Sequence, residues 1–526
     1  MKIDYRPEID GLRAIAVISV IIYHAEIKFN NTEILKGGFL GVDIFFVISG
    51  YLISLLIFKE LITTGKFLFS NFYERRIRRI IPTLLLVMLF SLPIAWIVLT
   101  PYALIEISES IISSLGFISN IYFYYSGIDY DAFEGLFIPF LHTWSLSVEE
   151  QFYILFPITI IFIYKFFRKY LFLFLVVFFI LSFFMHLTMS KEFPSLTFYF
   201  LHTRIWELIA GSILAYLEVK FGCRSRNKVL NSFLPIIGLI LISFSILFFD
   251  SNIFNPSILI LLTIIGTCIL IWFSNDNNLV KKILSHKLFV SIGLISYSLY
   301  LWHYPIFSFA KSSGIVSGSF EKKLIMAFLL FVLSVTSYFL VEKPFRNKKF
   351  NYRKIIFLLL FFSSILLILN LIIIKKNGFP HRFDNLSLVN KNYDIDNFKL
   401  AKSKISKKVT EKNSFTKDKI NVLIIGDSHG SDTLNIFTSN NELFSSYDFI
   451  HTSIFDPKNL VNNDLFLNSD IVLLSFRWSK KDVSYILNNL IPFLKKYGKK
   501  VIISSNSNEY KVFSKIYTLI DNIVLF

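Results

Sequence analysis

Cysteine is nearly absent from this chain. Cys223 and Cys268 are the only two, and both lie in or beside apolar stretches, which excludes a disulfide-stapled scaffold. Charge is scarce as well. Asp, Glu, Lys and Arg make up 17% of the residues against 54% hydrophobic, a balance outside the ordinary range of a water-soluble protein. No Lys or Arg occurs between Thr100 and Thr143. No cleavable leader is read, because the first apolar run carries Arg13 and His24 and no small-residue cleavage site follows it. The net charge of +17 does not imply a nucleic-acid partner, since much of it sits in short loops between apolar runs, where it sets membrane orientation.

What is abundant is phenylalanine and isoleucine in long runs. Their lengths approach the roughly twenty residues needed to cross hydrocarbon. The expected fold is a polytopic α-helical membrane bundle of about eleven spans followed by a partial α/β domain. The spans are expected near Leu12–Phe29, Phe39–Phe58, Ile80–Leu99, Trp144–Tyr164, Leu171–Met189, Tyr199–Leu217, Leu234–Phe249, Pro256–Phe273, Leu288–Phe309, Leu324–Leu340 and Ile355–Ile374. The loops after even-numbered spans are the basic ones, for example Arg75, Arg76, Arg78 and Arg79 after the second. The positive-inside rule then places the N-terminus in the cytoplasm and the residues after Lys375 outside. Tyr102 to Tyr125, with Glu106, Glu109 and a serine-rich middle, reads as an interfacial or re-entrant piece.

Ionisable residues inside such spans are costly and mark function by default. Arg13 and His24 share nearly one face of the first helix, roughly 16 Å apart along its axis. With the expected orientation, His24, Asp43, His142, Glu149, Glu150, Arg204, Glu207 and His303 converge on one outer depth, while Arg13 and the Arg75–Arg79 cluster lie at the inner end. The inner end suits phosphates, and the outer histidines and carboxylates suit proton transfer. Plainer readings stand beside these. Arg13 fits a snorkelling helix-end cation. His24 and His303 fit hydrogen-bonded bundle residues. Arg204 and Glu207 fit an i, i+3 ion pair. Gly37, Gly38 and Gly41 fit close helix packing.

The same residues stand in recognisable motifs. Tyr5-Arg6-Pro7-Glu8-Ile9-Asp10-Gly11-Leu12-Arg13-Ala14 through His24 resembles the opening of the acyltransferase-3 family, with its basic residue, intervening stretch and histidine. Gly37-Gly38-Phe39-Leu40-Gly41-Val42-Asp43 through Gly50, Phe72 through Pro82, and His142-Thr143-Trp144-Ser145 through Tyr153 are similar to its following motifs. Ser296 through Pro305 and Val341 through Arg346 complete the set. The resemblance implies transfer of an acyl group, usually acetyl, from cytoplasmic acyl-CoA to a sugar hydroxyl of a bacterial surface glycan such as lipopolysaccharide O-antigen. It implies an inner-membrane, multi-pass protein and makes Arg13 and His24 the essential pair. Acetyl-CoA enters as donor substrate, and no permanently bound cofactor or metal is expected. Phosphates of the donor are expected near Arg75, Arg76, Arg78 and Arg79, close to Arg13. His24 is expected as general base or acyl acceptor, oriented by Asp43, Glu149 or Glu150. A transporter and a catalytically impaired homologue are the competing readings.

The expected organisation is an acyltransferase domain over 1–350, a further helix over 351–376, a linker over 377–419 and an α/β tail over 420–526. In that tail Asn421 to Ile425, Ile471 to Ser475 and Lys500 to Ser505 read as strands, with a helix near Lys481 to Tyr497. Gly426-Asp427-Ser428-His429 resembles the first block of an SGNH hydrolase domain, which would make Ser428 a nucleophile. Such domains place an Asp-x-x-His block near their C-terminal end, and none stands before Phe526. Asp448-Phe449-Ile450-His451 matches the spelling but follows Ser428 too soon, and reads as a chance match. Asn506 and Asn508 are further candidates for that site. The tail is expected to be incomplete or inactive.

Overall fold

In the computed structural model the described residues are 5–383, apart from 30–31, 128–132, 191, 250–255, 276–277, 314–319 and 348–349. They continue over 414–504, apart from 417, 427–429, 431–432, 435–436, 439–442, 454–455, 462 and 477–485, and end with 523–525. The chain divides into two compact units, Met1–Phe379 and Pro380–Phe526.

The first unit is helical. It comprises α1 Pro7–His24, α2 Gly41–Thr64, α3 Phe69–Val98, α4 Pro101–Leu115, α5 Ser119–Tyr125, α6 Thr143–Phe166, α7 Leu171–Met189, α8 Pro194–Tyr199 and α9 Leu201–Phe221. It continues with α10 Lys228–Phe248, α11 Pro256–Phe273, α12 Leu279–Leu284, α13 Lys287–Leu294, α14 Ser296–Ser312, α15 Phe320–Ser337, the short turn α16 Lys343–Phe345 and α17 Tyr352–Lys375. A two-residue hairpin, β1 Lys28–Phe29 and β2 Thr32–Glu33, follows α1. Among the described residues seven helices are long and apolar enough to cross a membrane. Four of the eleven expected spans are not among the seven: α1 carries Glu8, Asp10 and Arg13, α9 carries Arg204, Glu207, Glu218 and Lys220, and α11 is described as an apolar helix only over Ile260–Phe273. The expected span Leu288–Phe309 is broken at Ile295 into α13 and α14. α4, at 15 residues, is too short to cross on its own axis.

The surface of this unit is apolar. Phe357 is 74% exposed, Leu340 70% and Phe328 69%, on helices with mean hydropathy of at least 2.5. Patches of that kind are untenable in water and natural against lipid. The interior holds much of the polar chemistry instead. α2 is the central element: 78% of its most apolar stretch is buried. It meets α9 where both helices lack a side chain: a Cβ on Gly50 would lie 1.9 Å from the carbonyl oxygen of Leu208, and one on Gly211 2.1 Å from that of Val47. Gly37, Gly38 and Gly41 likewise sit against backbone oxygens of Ser245, Ser19 and Ala16, the close-packing role that small residues serve between membrane helices.

One local expectation is corrected. The Arg75–Arg79 segment is not an inner loop but the second and third turns of α3. The connection is only 65–68, because Gly65 ends α2 in the left-handed conformation at φ 67°, and helix-favouring Glu and Arg residues follow.

The second unit contains a five-stranded sheet in the order β4-β3-β5-β6-β7, where β3 is Ile420–Gly426, β4 Tyr447–Thr452, β5 Ile471–Ser475, β6 Lys500–Ser504 and β7 Ile523–Leu525. All pairs are parallel except β6 with β7. Leu423 and Ile425 bury one face with Val472, Leu474 and Leu490, while Val422 and Ile424 bury the other with Leu434 and Phe437. Burial on both faces is why these strands read as unbroken apolar runs.

Candidate active site

Three histidines from three separate motifs meet in the helical unit. His24 occupies the last turn of α1, His303 the middle of α14, and His142 the position just before α6. All are buried, at 4%, 0% and 0% exposure. His24 Nδ1 lies 3.2 Å from His303 Nε2. The other nitrogen of His303, Nδ1, is 2.5 Å from the backbone oxygen of Tyr300. His142 packs edge-on against His303 at 5.4 Å and stacks on Tyr304 at 5.3 Å, and Tyr304 in turn touches His24 at 4.9 Å. Pro305, two residues after His303, cannot donate the helical bond to Leu301.

Beside this cluster is a cavity of about 90 Å³. Its wall draws on α1 (Arg13), α2 (Phe45, Ser49), α3 (Arg76, Arg79), α6 (Ser145, Glu149, Tyr153) and α14 (Tyr297, Tyr300). Three guanidiniums thus face one carboxylate, a net positive lining. Arg13 is held at 2.8 Å by Asp10 one turn earlier. Glu149 accepts from Tyr153 Oη at 2.8 Å. The Nε of Arg76 is buried with no hydrogen-bond partner. Arg76 also lines a second cavity of about 190 Å³ with Lys59, Glu60, Thr63, Thr64 and the exposed Arg75. Arg76 therefore lines both cavities.

Tyr300 joins the chamber to the histidines. It lines the cavity, its hydroxyl donates to the His142 carbonyl at 2.9 Å and shares a 2.6 Å contact with Ser145 Oγ, and its own carbonyl faces His303. His24 is not itself among the lining residues. Tyr300, Ser145 and Tyr304 have no role in the sequence-based reading. The signal was available: Tyr300 precedes His303, and Ser145 follows His142, by three residues, one helical turn.

The remaining candidates fall elsewhere. Asp43 was expected to be able to orient His24. It instead forms a 2.8 Å ion pair with Arg204, whose Nε is 2.9 Å from Glu207. The guanidinium also lies over the rings of Phe46, Trp144 and Phe198 at 5.5 to 5.7 Å. Glu149 is committed to the basic chamber rather than to the histidines, because on α6 it lies about two turns beyond His142. Glu150 is buried, and its Oε1 has no hydrogen-bond partner. The residue found beside His24 Nδ1 is His303. Arg78 lines neither cavity. It binds Glu74 at 2.8 Å and donates to the carbonyls of Phe345, Asn347 and Phe350. The single outer depth expected for the ionisable residues thus resolves into a histidine cluster, a basic chamber and an ion triad.

In the second unit Asp427, Ser428 and His429, with Asn506 and Asn508, lie outside the described residues. The segment read as a chance Asp-x-x-His match is the edge strand β4, where Asp448 accepts from Thr416 N and Oγ1 and His451 Nε2 is 3.0 Å from the Gly426 carbonyl. Among the described residues no group of His, Cys, Asp or Glu has the arrangement to hold a metal ion.

A family model described as an acyltransferase domain matches residues 6–343. A Staphylococcus aureus (strain MSSA476) protein named "Putative O-acetyltransferase SAS0844" is 36% identical over 368 residues, covering 67% of this chain and 59% of the relative. "O-acetyltransferase OatA" of Staphylococcus aureus (strain NCTC 8325 / PS 47) is 35% identical over 367 residues, covering 66% of this chain and 58% of the relative. The matched region thus spans under two thirds of those relatives' length. No solved structure matches the chain.

Proposed function

The chain belongs to the acyltransferase family, and from that premise we propose that it is a membrane O-acyltransferase that moves an acetyl group from cytoplasmic acyl-CoA to a hydroxyl of a bacterial surface polysaccharide. Lipopolysaccharide O-antigen is one example of such an acceptor; the names of the relatives carry only the O-acetyl part. The observation that carries the proposal is the meeting of all the early motifs around one basic chamber that ends beside three histidines.

In this reading the donor's phosphates bind where Lys59, Arg75 and Arg76 line the second cavity, with Arg76 and Arg79 drawing the chain of the donor toward the chamber. The N-terminus and this cavity are assigned to the cytoplasmic side, the side that the positive-inside rule favours for the basic loops. The thioester reaches the histidines past Tyr300. His24 removes the proton of the acceptor hydroxyl as its oxygen attacks the thioester carbonyl; the carbon–sulfur bond breaks and the proton passes to the departing CoA sulfur. Holding both reactants in a buried chamber supplies the orientation such a transfer needs.

The test is acetyl-CoA hydrolysis or transfer by purified full-length protein carrying His24→Ala. General-base catalysis contributes about 10²- to 10⁴-fold, so the variant is expected to lose activity by that factor or more. Full activity in His24→Ala ends the assignment.

A further inference from the structure

We propose that Lys323, seconded by Lys311, is a positioning residue of the transfer: it fastens the end of α1 and so holds in place the turn that carries His24. The inference rests on the acyltransferase reading of His24 and goes beyond it in naming what fixes that turn.

The lysines are out of place by sequence alone. Lys311, Lys322 and Lys323 flank the connection between α14 and α15, which the expected orientation puts outside, where cations are sparse. Lys323 also stands in the first turn of α15, the end of a helix that disfavours positive charge. Its contacts account for it. Lys323 Nζ donates to the backbone oxygens of Ala25 at 2.9 Å and Glu26 at 2.6 Å. These two residues directly follow α1, where carbonyls lack helical partners and the helix dipole attracts a cation. Glu26 has a left-handed φ of 47°, a conformation that is costly for a residue with a Cβ and persists where the surroundings impose it. Lys311, in the last turn of α14, reaches the Glu26 carboxylate at 2.8 Å.

His24 is the last residue of α1, so these contacts act one and two residues beyond it. Its ring also bonds to the backbone of Val20, one turn back in the same helix. The direction of the ring therefore follows the direction of the helix end. The Lys311–Glu26 pair joins the same two helices, α1 and α14, that meet at His24 and His303. The other end of α1 is held by close packing: a Cβ on Gly11 would lie 1.9 Å from the Leu284 oxygen, and one on Gly293 1.9 Å from that of Asp10. Glycine contacts thus fix the start of the helix and lysine contacts its end, and the end bears on His24.

The experiment compares Lys323→Met, Lys323→Arg, Lys311→Met, the control Lys322→Met and His24→Ala in full-length protein purified in detergent, with labelled acetyl-CoA as the probe. Lys323→Met should lower kcat by about 10- to 100-fold, the range for losing hydrogen bonds to a charged group. The donor KM and the melting midpoint should hold, because the donor's phosphates bind elsewhere. Lys323→Arg should recover most of the loss, since its guanidinium keeps the charge and has donors for both carbonyls. Lys311→Met should cost about fivefold or less, because Glu26 is 39% exposed and such ion pairs contribute little. Amide hydrogen exchange, which needs no turnover, should speed up about tenfold at Ala25 and Glu26 in Lys323→Met and stay unchanged in α2. An unchanged kcat or unchanged exchange in Lys323→Met overturns the role of Lys323. So does an equal loss in Lys323→Arg or Lys322→Met, or a fall in kcat that only tracks a lower midpoint. Full activity in His24→Ala means that the acyltransferase assignment of His24 has failed; an inactive His24→Ala beside an unaffected Lys323→Met means that the clamp has failed.

Discussion

Asp43, Arg204 and Glu207 close on one another, whereas Arg13, Arg76, Arg79 and Glu149 face a cavity. Both groups are charged and set within the same helical unit. The triad sets its guanidinium 2.8 and 2.9 Å from two carboxylates and against a ring of aromatic faces, as charge contacts rather than a full set of hydrogen bonds. The chamber leaves a net positive wall and a guanidinium nitrogen without a partner. Burial of charge alone therefore does not identify a site. What distinguishes the chamber is that its charges are arranged for something to arrive.

The comparison can be broken by substitution on either side. The largest expected effect falls on the triad. Arg204→Leu should destabilise the fold by about 3–5 kcal/mol, since it strands two buried carboxylates. Thermal unfolding in detergent should show a lower midpoint and activity lost together with folded protein. The triple replacement Asp43→Leu, Arg204→Leu, Glu207→Leu should be less harmful than the single change, because no charge is left unpaired. If Arg204→Leu keeps its melting midpoint and loses activity, the triad belongs with the chamber and the contrast fails.

Next comes the chamber itself. Arg76→Ala and Arg79→Ala should raise the donor KM by about tenfold each with the melting midpoint preserved, the pattern of lost ground-state binding. The effect should shrink at high salt, as expected for contacts to phosphate. Arg78→Ala sharpens the point two residues away. It removes donors to three carbonyls near the start of α17, so it should lower the midpoint and leave the donor KM unchanged. The smallest expected effect is Ser145→Ala, which removes neutral hydrogen bonds to Tyr300 and to the His142 carbonyl. It should cost about 1 kcal/mol or less in either measurement, and a loss of activity comparable to His24→Ala would move Ser145 into the chemistry.

Much of the helical unit was legible because membrane residence leaves a coarse signal: long apolar runs, and a few charges too expensive to be incidental. α7 coincides with its expected bounds, and α17 nearly does. The errors arose where local pattern is blind. α1 was read too late because the acidic residues Glu8 and Asp10 look like a flanking segment, yet they are buried in the first turn. The arginine cluster of α3 was read as one group. At 3.6 residues per turn, Arg76 and Arg78 point about 200° apart, and one lines the chamber while the other ties the helix to a loop. In the tail, β3 and β5 were visible as apolar runs. β4 was not, because it is the edge of the sheet and carries Asp448, His451 and Thr452 among its apolar residues.

By itself the sequence determined that the chain lives largely in lipid, that it carries the acyltransferase motifs, and that Arg13 and His24 are among its costly residues. The expense of burying a charge or an imidazole is a local property, and a residue in an apolar run announces it. Its compensation is only partly local: Arg13 finds Asp10 and Arg204 finds Glu207 one turn away, but the other partners are distant. His24 meets His303 across 279 positions, and Asp43 meets Arg204 across 161. Only the packing of helices against one another chose those partners, because side chains far apart in the chain reach hydrogen-bond distance only after the backbones have closed around them.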